Sequence, residues 1–432
     1  TQNKGQMHLC QTTRPITKIG TLSKFLKAGE FVRMGKNHTD PNQFRGTDSE
    51  KIEQAIASAS GGAGIVHIPP RRPDETSSRD FWLLDRAILV PANLTLLLEN
   101  CRIKLADSAR DNLIRSANCG LGIREISPIS NLRIIGTGDA RLEGADHPRA
   151  TGDAAKTLGV RTFGTDSGRP GENPRGDWRN IGILLAKVQN FTISGITIRD
   201  SHSWAMSLEY CSDGVIRDMT FHSRGWKWID GKKEPLLNQD GLDLRRGCRR
   251  ILVENISGAT GDDLLAMTAI RSDAAPEVPG SEVTSTEKNE RDNDLCHIMI
   301  RNVIGHSAGG HQIVRFLNAS GIRIHHVLLD GVIDNSPENC RNNAAVRIGD
   351  RVAAWGGIAP LGDTAFLQIR NIQSHAHRAV TIVGSLADSI IDGVINANPE
   401  TPPVYYESGQ EYTRNLVLTN LLTVPVDDEA SE

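Results

Sequence analysis

The sequence contains no C-x-x-C pair, few aromatic residues (4%), almost no net charge (−3), and no apolar run near membrane-helix length. Each shortage excludes something. A membrane helix needs roughly 20 apolar residues, whereas the most apolar stretch, 87–98, is shorter and interrupted by Pro91. Balanced charge removes any global electrostatic case for nucleic acid or a membrane surface as partner. Without paired cysteines at close spacing, a zinc or thioredoxin-type site is not expected. The seven cysteines (Cys10, Cys101, Cys119, Cys211, Cys248, Cys296 and Cys340) are widely spread and odd in number. They read better as small buried hydrophobes than as a disulfide framework. Scarce aromatics with 41 glycines suit many short strands joined by turns.

What is present is a repeat. The pattern apolar, any, apolar, any, then Asn, Gly or His, then apolar occurs at Phe191–Ile196, Ile251–Ile256, Ile298–Val303, Ile322–Val327, Leu367–Ile372 and Leu416–Leu421. Period-two alternation marks strands with one buried face. The residue at each bend tolerates a left-handed turn. Intervals of 22 to 24 residues, or about twice that, separate the anchors, the repeat size of a parallel β-helix. An antiparallel sandwich is the competing fold, but Asn-Gly hairpin signals are missing.

A second set of strands alternates with the first, around Met206, Leu242–Leu244, Leu264–Met267, Gln312–Phe316, Val346–Ile348 and Val380–Ile382. Thr47-Asp-Ser-Glu50 is a capping box opening a helix with Ile52, Ala55, Ile56 and Ala59 on one face. That helix would cover the open end of the coil, where apolar core and an unpaired edge are otherwise exposed. The predicted organisation is an extension over 1–40, an all-β, right-handed, single-stranded parallel β-helix over 41–425 with its capping helix at about 47–60, and an acidic tail over 426–432. Insertions at 145–178, 224–237 and 271–293 would wall a cleft.

The chemistry sits between Asn238 and Thr268. Asp240 and the pair Asp262–Asp263 stand 22 and 23 residues apart, each just before a strand, so one turn of coil brings three carboxyl groups side by side. Glycoside hydrolysis needs such groups, one protonated for the leaving oxygen and another ionised. Turn chemistry alone would explain a single Asp-Asp pair. Clustered aspartates also suit calcium, which would indicate a lyase. Arg245, Arg315 and Arg347 fall on outward positions of the second strand set, suggesting an anionic substrate. Trp226 and Trp228 precede the aspartates and could stack on sugars or plug a loop.

These residues resemble glycoside hydrolase family 28, the polygalacturonase family, from about Thr47 to Asn420. Asn238-Gln-Asp240 is similar to its Asn-Thr-Asp motif, and Gly261-Asp262-Asp263 to its Gly-Asp-Asp. Gly310-His311-Gln312 matches Gly-His-Gly in part, and Arg347-Ile-Gly349 lacks the lysine of Arg-Ile-Lys. The resemblance implies an inverting hydrolase in which Asp262 is the general acid and Asp240 and Asp263 activate water. His311 would tune the acid, while Arg347 and Asn238 would contact substrate. It implies no cofactor and no metal, and a pectin-like substrate met in a secreted or periplasmic setting; the missing lysine and the outward arginines make a sulfated galactan as plausible. A non-catalytic β-helix of adhesin or tailspike type is the alternative from another class.

Overall fold

Alternating strands resolve into two stacks of parallel strands wound by one chain. The computed structural model describes residues 38–60, 64–75, 77–109, 111–147, 178–272, 282–319 and 321–424. One sheet stacks short strands in chain order, among them Met206–Glu209, Leu242–Arg245, Leu265–Ala269, Gln312–Asn318, Ala344–Ile348 and Arg378–Ile382. The other stacks longer ones, including Ser212–His222, Arg249–Thr260, Leu295–Ser307, Ile324–Asp334, Thr364–Ser374, Leu386–Asn396 and Thr413–Thr423. Each turn of this right-handed parallel β-helix supplies one strand to each stack. The expected fold is therefore the observed one.

Apolar side chains pile up in register inside the coil. Leu242, Leu265, Val314, Val346 and Val380 form one such column; Val253, Ile300, Leu329, Ile369 and Ile391 form another. All ten are buried. Because each rung's apolar face is completed only by its neighbours, the core is continuous along the axis.

Each long strand bends at a residue with left-handed backbone. Asp218 (φ 56°), Asn255 (56°), Asn302 (56°), Asn371 (58°) and Asn420 (52°) share this column with Gly195, Gly331 and Gly393. Their amides link the rungs: Asn255 Nδ2 donates to Asp218 Oδ1 (2.8 Å) and Asn302 Nδ2 to Asn255 Oδ1 (3.1 Å). One sequence repeat falls at a different place on its rung from the others. His326 lies not in this column but at an earlier bend, beside His297 and Phe366. The equivalent of Asn302 on its rung is Gly331, within Val327-Leu-Leu329-Asp-Gly331-Val332. Both bends accept left-handed residues and both are followed by a branched aliphatic, so the short pattern fits twice.

Helix α1 (Asp48–Ser60) begins at the expected capping box, with Thr47 N–H donating to Glu50 Oε2 (2.8 Å). Ile52, Ala55, Ile56 and Ala59, the expected apolar face, are buried. Asp48, also buried, pairs with the Arg71 guanidinium at 2.7 Å. The six described cysteines are unpaired and all but Cys340 are buried, matching the hydrophobic reading. Burial pushes the thiols of Cys101, Cys119 and Cys248 up to about 12. The expected extension (apart from 38–40), 148–177 and 273–281 of the insertions, and the acidic tail lie outside the described residues.

Candidate active site

Parallel register assembles the site. Leu242 pairs with Leu265, and Leu265 with Val314. Stepping back two residues puts Asp240, Asp263 and Gln312 at one level, with Asp262 and His311 just before them. Backbone bonds from Gly241 N–H to Asp263 O (2.9 Å) and from Leu264 N–H to Gln312 O (3.1 Å) extend this register into the turns. One oxygen from each of Asp240, Asp262 and Asp263 lies within 4.8 Å of the other two. Gln239 fixes the approach: its Nε2 donates to Ser201 O (2.6 Å) and its Oε1 accepts from Gly225 N–H (2.9 Å). Gly261 permits it, since a Cβ there would lie 2.6 Å from the Gly225 Cα.

The three carboxylates have different surroundings. Asp263 is buried; its Oδ1 accepts from Gln312 N–H (3.0 Å) and its Oδ2 from Arg315 Nη1 (3.2 Å). Asp240 is buried, and no guanidinium among the described residues contacts it. Burial, then the charges of Asp262, Asp243 and Asp263, push its carboxyl well above the usual range. Asp262 is the partly exposed member, with Oδ1 3.3 Å from His311 Nδ1. Burial and the neighbouring Asp263 raise it to about 6. Such a cluster holds a proton where isolated carboxyls have lost theirs. Asp240 and Asp262 are the two raised carboxyls of the cluster, while the Arg315 guanidinium contacts Asp263. An acid beside an ionised carboxylate is the minimum equipment for glycosidic hydrolysis.

Two expectations meet this geometry differently. Carboxyl groups roughly 6.5–9.5 Å apart accompany inversion, but the nearest oxygens here are within 4.8 Å, so the spacing itself does not argue for inversion. A bound calcium would want six to eight oxygens, whereas the Arg315 guanidinium already holds one of the three carboxylates. The donor set fits a cation poorly.

The candidate substrate residues divide. Arg245 is not on an open face: it is 3% exposed, ion-paired with Glu282, and stacked 4.4 Å over Trp204. Glu282 belongs to an irregular segment pinned down by Glu209, which accepts from the N–H groups of Val283 (3.1 Å) and Thr284 (2.8 Å). That segment covers Arg245, so its role is structural. Arg315 and Arg347 are register partners on adjacent rungs. Both contact Asp350 Oδ2, at 2.7 and 3.4 Å, and Arg347 lies 4.0 Å from Glu407. Asp350 and Glu407 escaped the sequence reading, although Asp350 follows directly on Arg347-Ile-Gly349. Burial opposes ionisation of Asp350, but the Arg315 hydrogen bond and charge outweigh it and hold its carboxyl low.

The absent lysine has a packing reason. Gly349 has φ 75°, and a Cβ there would come within 2.5 Å of the Gly384 Cα. Asn238 is half-buried at a left-handed turn (φ 55°) two residues before Asp240. Trp226 and Trp228 lie on a hairpin of Trp226–Ile229 with Lys232–Pro235. Trp228 is 63% exposed and therefore no plug. Asp243 is buried rather than facing a cleft; its Oδ1 accepts from Thr268 Oγ1 at 3.3 Å, and burial pushes it up to about 7.

Comparison with known proteins bears on this segment. Residues 171–275 match the family described as Glycosyl hydrolases family 28; this range holds all three aspartates and stops before His311. No curated protein sequence matches the chain. A hyperthermoactive exopolygalacturonase from Thermotoga maritima is similar in structure, with TM-score 0.50 and 15% identity over 90% of this chain and 94% of that one. An endo-xylogalacturonan hydrolase from Aspergillus tubingensis gives TM-score 0.54 and 12% identity over 90% and 93%. At such identities the likeness is one of fold. Joined to the family match over the aspartates, it identifies the chain as resembling a divergent member of glycoside hydrolase family 28.

Proposed function

We propose that this protein hydrolyses glycosidic bonds in an acidic polysaccharide or oligosaccharide outside the cytoplasm. Asp262 serves as general acid, and Asp240 with Asp263 holds and deprotonates the water. The observation that carries this reading is the convergence of three carboxylates on neighbouring rungs, with the Arg315 guanidinium on Asp263. Asp262 is the member open to solvent and beside His311, so it can meet a leaving oxygen. With the shared proton on Asp262, Asp240 is ionised next to Asp263, and the pair can orient water.

Arg347 supports an anionic substrate, as do the galacturonan-type names of the two structural neighbours. A sulfated galactan also offers paired anionic oxygens to a guanidinium. Inversion is retained on the family resemblance, against the compact carboxylate spacing. Following the first-formed anomer by proton NMR decides it, and a retained anomer removes the direct-displacement mechanism.

The primary experiment measures reducing-end release from polygalacturonate, a substituted pectin, a sulfated galactan and a neutral glycan. We expect cleavage of an acidic polymer, and a loss of kcat of about 10²–10⁴-fold or more in Asp262→Asn, the scale of general acid catalysis. Full activity in both Asp262→Asn and Asp263→Asn would refute the site. Unsaturated product ends would convert the enzyme into a lyase.

A further inference from the structure

A second cleft lies beside the site and shares none of its three acids. It is a cavity of about 500 Å³ lined by Arg199, His222, Arg224, Trp226, Lys227 and Trp228, with Asp200, Ser223 and Ala259 completing the wall. Its floor comes from the ends of Thr197–Arg199, Ser212–His222 and Arg249–Thr260, in register on successive rungs. Its roof is the Trp226–Pro235 hairpin. The cleft has the volume of a small-ligand site rather than of a water pocket.

The hairpin is held, not dangling. Lys227 Nζ donates to Ala145 O at 2.8 Å and lies 3.9 Å from both Asp146 and Asp200. The two indoles meet edge to face, with centroids 6.2 Å apart and planes at 90°. Cations already attend Trp226, Lys233 Nζ at 4.3 Å and the Arg224 guanidinium at 5.6 Å from its centroid. Trp228 is the ring left available, on a surface where exposing an indole is unfavourable without a partner. Around it stand Arg199, Arg224 and Lys227, with Asp200 in the wall and Asp146 near Lys227. Arg199 Nε is buried without a hydrogen-bond partner among the described residues. Burial and the nearby Arg199 charge hold His222 below its usual range, so at neutral pH it can both donate and accept.

A flat apolar platform ringed by guanidinium and ammonium groups matches one chemical class. The sugar ring presents C–H groups to an indole face, and its carboxylate or sulfate suits a planar or point cation. We infer that the hairpin cleft is a separate binding site for an anionic sugar unit, stacked on Trp228 and charge-paired with Arg199 and Arg224. It holds the acidic polymer beside the catalytic turn without touching the cleaved bond. The class of substrate rests on the hydrolase reading given above; the existence of the site does not.

The test uses full-length protein carrying Asp262→Asn, so that ligand persists. Calorimetric titration with galacturonate oligosaccharides, a sulfated galactan oligosaccharide and their neutral analogues should show charged ligands binding at least tenfold tighter than neutral ones. Adding Trp228→Ala or Arg224→Ala should weaken binding about tenfold, with Arg224→Lys restoring part of it. In the active enzyme, Arg224→Ala should lower activity on polymer more than on the shortest cleaved oligosaccharide. Charged-ligand affinity unchanged by both substitutions, or equal affinity for charged and neutral ligands, overturns the inference. If the wild type cleaves nothing yet these substitutions abolish binding, the site stands and the hydrolase reading falls. If it cleaves polymer and neither substitution matters, only the site falls.

Discussion

Asp263 is gripped at both oxygens, by the Gln312 N–H and by Arg315, and Arg315 is itself braced by Asp350. The candidate substrate residue Arg315 thus contacts Asp263 and Asp350, and under the proposed mechanism it would position Asp263. Removing it leaves a buried carboxylate against Asp240, Asp262 and Asp243, with His311 beyond, and such a group takes up a proton rather than stay charged. Arg315→Ala should cut kcat by about 10²-fold or more and move the acidic limb of the pH–rate profile upward; Arg315→Lys should recover part of both. A profile that keeps its shape would make Arg315 merely structural. Asp243 allows a prediction on stability. Its folded-state carboxyl titrates near about 7, against about 3.9 in an unfolded chain. Between those values the folded protein binds the extra proton, so stability falls as pH rises through this window. Asp243→Asn should therefore gain roughly 1–4 kcal/mol over wild type at pH 8 and little at pH 4, read from denaturant midpoints. An equal effect at both pH values would contradict the assignment.

Among the elements, α1 shows how a local signal becomes a structural commitment. The capping box starts the helix, but Asp48 attaches it to the coil through Arg71, whose Nη1 also donates to the carbonyls of Arg72, Ser77 and Arg79. Asp48→Ala removes the buried partner of Arg71 Nε and leaves Asp74 on Nη2, and should cost about 1.5–3 kcal/mol; a Tm within a degree of wild type would be inconsistent with that. The bend column offers a gentler probe. Asn255 is left-handed and its amide joins Asp218 to Asn302. Asn255→Ala loses these bonds and strains a left-handed site, costing about 1–3 kcal/mol. Asn255→Gly loses the bonds without the strain and should fall between alanine and wild type. Equal losses would show that the amide ladder, not the backbone, sets the bend.

At the scale of the molecule, a solenoid makes some relationships local and leaves others to chance. Residues one turn apart in sequence are neighbours in space, so the 22- and 23-residue offsets were enough to place Asp240 against Asp262 and Asp263. The fold, the buried columns and the acid cluster were legible because each follows from a period. Even there the period left ambiguity, since two bends per rung accept the same residue types and His326 was assigned to the wrong one. What the tertiary structure alone decided lies off the period. Arg245 is outward in register, yet Glu282 and its segment bury it from 37 residues away. Arg315 sits in the same sheet, two rungs on, and its meaning changed because Asp350 follows the next strand. Gly349 stands where a lysine was expected because Gly384, on a later turn, packs against its Cα. Strands repeat because backbone pairing and burial impose a common spacing on every rung. Turns between them answer to no such constraint, and the charge partners, the covering segment and the Trp228 cleft are all built there.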